Sequence, residues 1–94
     1  MTDFTPPQLA AAVAAVAGSG VRARFVRIET VVLLDDGAIA WDGEVHVFEL
    51  TGHPRARSAY AWTGDEGRPV AILGELGVAT ASDAVARRRN PPST

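Results

Sequence analysis

Hydrophobic and polar positions alternate along two long stretches of the chain, 22–34 (RARFVRIETVVLL) and 38–50 (AIAWDGEVHVFEL). Period-two alternation marks half-buried strands, because successive side chains point to opposite faces of a sheet. In the first stretch Val26, Ile28, Val32 and Leu34 share one side with Thr30. Arg27 and Glu29 share the other with Phe25, Val31 and Leu33. The wholly apolar end of this stretch reads as buried on both faces. Asp35-Asp36-Gly37 predicts a hairpin turn, since Asp and Gly tolerate the positive φ such turns need. In the second stretch Ile39, Trp41, Val45 and Val47 line one face, and Asp42, Glu44 and His46 the other. Gly43, together with a change of apolar phase at Phe48 and Leu50, predicts a bulge or a strong local twist.

Gly52-His53-Pro54 turns the chain. A third strand is expected in ARSAYAWT (56–63), with Tyr60 and Trp62 on one side and Ala59 and Ala61 on the other. A fourth is expected in RPVAILGE (68–75), with Pro69 near its start as an edge strand tolerates. Two helices flank the strands. TPPQLAAAVAAVAGSG (5–20) has Thr5 at the cap, proline in the first turn, Gln8 three residues after the cap and glycines to stop it. Leu9, Val13 and Val16 form its apolar stripe. TASDAVARRR (80–89) is capped by Thr80 with Asp83 or by Ser82. Ala81, Ala84 and Val85 lie on its inner side, and Arg87, Arg88 and Arg89 in its last turn complement the helix dipole. The pattern predicts an α+β fold: an N-terminal helix, a four-stranded antiparallel meander and a short C-terminal helix, with both helices on one sheet face. Residues 1–94 make a single domain, with 1–4 and 90–94 as frayed tails.

Composition narrows the function. A chain of 94 residues buries only about 60–65% of its unfolded surface, so its core is thin. The charged fraction of 21% and apolar fraction of 47% are those of an ordinary globular protein. A net charge of −2 disfavours a nucleic-acid partner. The chain has no cysteine, which removes disulfides, thiolate metal sites and cysteine nucleophiles, and favours the cytoplasm. No signal peptide is expected in MTDFTPPQ, and the apolar run LAAAVAAVA is too short to span a membrane. All nine bases are arginine, an imprint of GC-rich coding rather than of chemistry.

Four groups of residues could carry chemistry. Asp42, Glu44 and His46 project from one strand face, and with His53 could begin a metal site; without a ligand-spacing signature, a solvated polar face is the simpler reading. His53 in its tight turn could act as a general base with Glu44 or Glu49, and an enzyme could add His46 and Tyr60; turn punctuation, with the ring capping the loop, is the simpler expectation. Tyr60 and Trp62, flanked by Arg55 and Arg57, could stack bases weakly. The arginine triplet could dock an acidic partner, but the helix dipole explains it. No catalytic residue, cofactor or metal is assigned.

WDGEVHVFELTGHP, then SAYAW, an apolar strand and a helix capped by Ser82, together resemble a group of small uncharacterised bacterial proteins. The resemblance covers roughly residues 38–89 and implies a bacterial, stand-alone domain with no assigned activity. The expectation is therefore a non-enzymatic interaction domain. Its uncovered sheet face pairs with a second copy, as a homodimer, or with another protein, through Phe48, Tyr60 and Trp62.

Overall fold

A computed structural model describes residues 5–64, 67–75 and 78–89; the expected tails at 1–4 and 90–94 lie outside them. The elements run α1 (Pro6–Ala17), β1 (Arg22–Asp35), β2 (Ala38–Thr51), β3 (Ser58–Thr63), β4 (Pro69–Leu73) and α2 (Ala81–Arg89). The strands form one antiparallel sheet in the order β1-β2-β3-β4, so the predicted α+β meander is the fold. The β1–β2 turn is made by Asp36 and Gly37 at φ 51° and 79°, two successive positive values that match the right-handed twist of the strands they join.

The helix ends follow the sequence. The Gln8 side-chain oxygen accepts the Thr5 N–H at 2.8 Å and the Thr5 hydroxyl at 3.1 Å. At α2, Thr80 and Asp83 cap each other: the Asp83 N–H donates to Thr80 Oγ1 at 3.1 Å, and the Thr80 N–H donates to Asp83 Oδ2 at 3.2 Å. The Ala79 N–H donates to the same carboxylate at 3.1 Å.

The helices lie on opposite faces of the sheet, not on one. Leu9 and Val13 of α1 pack with Phe48, Leu50, Ala59 and Ala61. Ala81, Ala84 and Val85 of α2 pack with Val45, Val47, Tyr60 and Trp62 on the other side. The arrangement follows from size. The alanine side of β3 leaves room for the Leu and Val of α1. The small residues of α2 leave room that only the rings of β3 fill, which keeps both layers at interior density. Tyr60 also ties the chain to the start of α2, its hydroxyl donating to the Ala79 carbonyl at 3.0 Å.

This sandwich accounts for the phase change in β2. Residues 45–48 are buried on both faces because the strand passes between the two helices. No register shift occurs at Gly43, which pairs with Val31; the shifts fall between Phe25 and Arg27 and between Leu33 and Leu34. Gly43 is instead covered by the indole of Trp41, whose Cη2 lies 2.8 Å from where a Cβ would stand. An aromatic side chain shielding a strand glycine replaces the missing packing surface.

β1 and β2 have 14 residues each, against 6 and 5 in β3 and β4. β2 pairs with β3 only over 46–49. The turn-proximal half of the β1–β2 hairpin therefore extends past the rest of the sheet as an arm. Val32 and Leu34, in the stretch expected to be buried on both faces, are 51% and 66% exposed there. Val16, expected in the α1 stripe, is also exposed; of that stripe Leu9 and Val13 make the contact, with Ala10 packed beside them.

Candidate functional site

The strand register fixes where each candidate residue points. Asp42, Glu44 and His46 pair with Val32, Thr30 and Ile28, which places all three on the α1 side of the sheet, as the alternation predicts. Asp42 and Glu44 are exposed and His46 is buried beside the Phe25 ring, with centroids 5.5 Å apart. Among the described residues no three His, Asp or Glu side chains lie close enough together to hold a metal ion. Extended backbone separates alternate carboxylates by about 7 Å, and no bend at Gly43 closes that gap.

His53 does not join them. Its Nδ1 accepts the backbone N–H of Arg55 at 3.0 Å and of Ala56 at 2.8 Å. The ring thus closes the 52–56 loop, as turn punctuation predicts, in the manner of an Asx turn. Gly52, at φ 95°, sits where a Cβ would stand 2.8 Å from the Gly20 carbonyl oxygen, so this loop packs backbone to backbone on the α1–β1 connection. Tyr60 pairs with Val47, whereas His46 pairs with Ala61, so Tyr60 and His46 occupy opposite faces. The sheet thus divides the set, with His46 and Glu44 on one face and Tyr60 on the other.

A structural His53 makes a clear prediction. Asn Oδ1 stands the same number of bonds from the backbone as His Nδ1. His53→Asn is expected to keep the loop and the wild-type stability. His53→Ala leaves two N–H groups without their acceptor and is expected to cost about 1–2 kcal/mol. Urea denaturation of both variants checks this ordering, and equal losses would contradict it.

The expected aromatic anchors are core residues. Phe48, Tyr60 and Trp62 are 0%, 4% and 3% exposed. Tyr60 and Trp62 lie under α2 and Phe48 lies under α1, so none presents a ring to a partner or a base. Arg55 and Arg57 are exposed near β3 without an accessible ring between them.

No family model, curated protein or solved structure matches this chain.

What the structure does expose is an aliphatic row. Ile28, Val32 and Leu34 of β1 lie on the α1 side of the arm with Ile39 of β2, which pairs with Leu34. They are 45%, 51%, 66% and 62% exposed. Phe25, 38% exposed, borders the row and packs on Phe48 at 5.8 Å. The shared face of Ile28, Val32 and Leu34, with Thr30 between the first two, was visible in the sequence; Ile39, expected beside Trp41, joins them through the register shift between Leu33 and Leu34. The row's lack of cover depends on β3, β4 and α1 all ending short of it. The contrast between two 14-residue strands and two short ones was the available signal. No helix among the described residues is long and apolar enough to cross a membrane.

Proposed function

We propose that this protein is a non-enzymatic interaction domain that self-associates through the α1-side face of its β1–β2 arm, as a homodimer in a bacterial cytoplasm. The observation that carries this is the row Ile28, Val32, Leu34 and Ile39, four large aliphatic side chains left together in water. Scattered exposed aliphatics are ordinary, but four on one face of a strand pair, interrupted by Thr30, suit an association surface. β1 is also an edge strand, and a long exposed edge with an apolar face is what proteins cover.

A second copy fits the row. Apposing two rows removes on the order of 1,000 Å² from water, the lower bound for a specific pair. Asp42 and Glu44 border the row on the same face, opposite Val32 and Thr30, so two copies that meet with their β1 strands together leave both pairs of acids toward the rim. Like charges thereby stay apart.

Sedimentation velocity tests the proposal. The wild-type protein is expected to shift from monomer to dimer as its concentration rises, and Ile39→Glu is expected to stay monomeric. Because Ile39 is exposed in the monomer, that substitution is expected to change folding stability by less than about 0.5 kcal/mol. A wild-type protein that stays monomeric at millimolar concentration would contradict the proposal.

A further inference from the structure

The other side of the arm holds a groove of about 880 Å³, lined by residues of the arm, by Gly64 and Arg68 at the ends of β3 and β4, and by the last turn of α2. Its size is that of small-molecule sites. Trp41, half-buried, stands edge-on to Trp62 at 6.1 Å and 66°, and lines the groove with Val70 and Val85. The walls are cationic. Among the described residues Arg68, Arg88 and Arg89 line the groove with one acid, Asp35.

The helix dipole accounts for cations at the end of α2. It does not account for Arg68, which comes from the other wall, just before β4. Among the described residues neither Arg68 nor Arg88 takes part in an ion pair; the salt bridges there join Arg24 to Glu49 and Arg27 to Glu29. Arg68 and Arg88, from separate elements, thus line one space together with the half-buried Trp41.

We infer that this groove binds a small planar aromatic carboxylate. The ring packs against Trp41, where an aromatic partner gains edge or offset-stacked contact as well as apolar burial. The carboxylate is held by Arg68 and Arg88, whose planar forks match its two oxygens. A neutral ring of the same size makes only the first contact, and an aliphatic anion only the second.

The protein has two tryptophans, so its indole N–H resonances in a ¹H–¹⁵N spectrum report on the groove directly. Titration with 2-naphthoate is expected to shift the Trp41 resonance saturably. 2-Naphthylmethanol, with the same ring and no charge, is expected to bind at least about tenfold more weakly, a difference of about 1.4 kcal/mol. The double variant R68Q/R88Q alters two exposed side chains and is expected to fold and to lose the same tenfold for 2-naphthoate. Ile39→Glu is expected to bind as the wild type does, which separates this site from self-association. The inference is overturned by a Trp41 signal that does not saturate, by equal affinity for the neutral compound, or by full binding in R68Q/R88Q. A glutamate-rich peptide that shifts Trp41 where 2-naphthoate does not would also overturn it, in favour of an acidic chain.

Discussion

Trp62→Ala is expected to lower folding stability by about 3–5 kcal/mol, the range for truncating an enclosed aromatic side chain. Trp62 is 3% exposed and belongs to the cluster that joins Val45 and Tyr60 to α2. The upper end of the range applies because the helix above supplies Ala81, Ala84 and Val85. Those side chains have little reach with which to fill a cavity. A chain of 94 residues is stabilised by about 5–14 kcal/mol in total, so the loss removes a large share. Urea denaturation followed by circular dichroism measures it. A residue that anchored a dimer instead would, on truncation, leave the dilute monomer as stable as before. That outcome would contradict the placement of Trp62 beneath α2.

Phe48→Ala is expected to cost a similar amount, about 3–5 kcal/mol, from the opposite face. Phe48 is 0% exposed, with Leu9 and Val13 of α1 in the same cluster. Its neighbours on the sheet side, Ala59 and Ala61, cannot extend into the vacated space. Loss of this ring also removes the edge contact with Phe25. The contact between α1 and the sheet then rests on two aliphatic side chains and alanines, so α1 is expected to loosen before the sheet does. Amide exchange in 9–17 faster than in 45–48 checks this, and uniform exchange would contradict it.

The order of elements was legible because each boundary has a local chemical cause. Asp36-Gly37 takes two positive φ values, Thr80 and Asp83 cap each other, and Pro69 opens an edge strand. The face assigned to each helix was not legible, because alternation along a strand distinguishes its two faces without naming what covers them. β3 held the signal in the sizes of its residues. Alanines on one side suit the Leu and Val of α1, and rings on the other suit the alanines of α2. The expectation that Tyr60, Trp62 and Phe48 form an interface came from placing both helices over the alanines, and burial under both helices removes it. Gly43 misled for a related reason. A glycine in a strand signals a missing surface, and here an indole two residues away supplies it.

Among the candidate sites, a role set by neighbouring residues was legible in the sequence, and a grouping of distant residues was not. The role of His53 is set by N–H groups two and three residues on. Sets that needed His46, His53 and Tyr60 together required the fold to bring opposite sheet faces into one space. The aliphatic row stands uncovered because β3, β4 and α1 end before the hairpin does, and the groove lies where the end of α2 comes alongside the arm's other face, relations between elements that no single segment records.

Hydroxyl-radical footprinting of dilute and concentrated protein tests most directly which sheet surface two copies share. Ile28 and Ile39 are expected to react in dilute solution and to become protected on concentration, while Tyr60 and Trp62 stay protected throughout. Reactive Tyr60 and Trp62 in dilute protein, protected only on concentration, would contradict the account and return the interface to the rings.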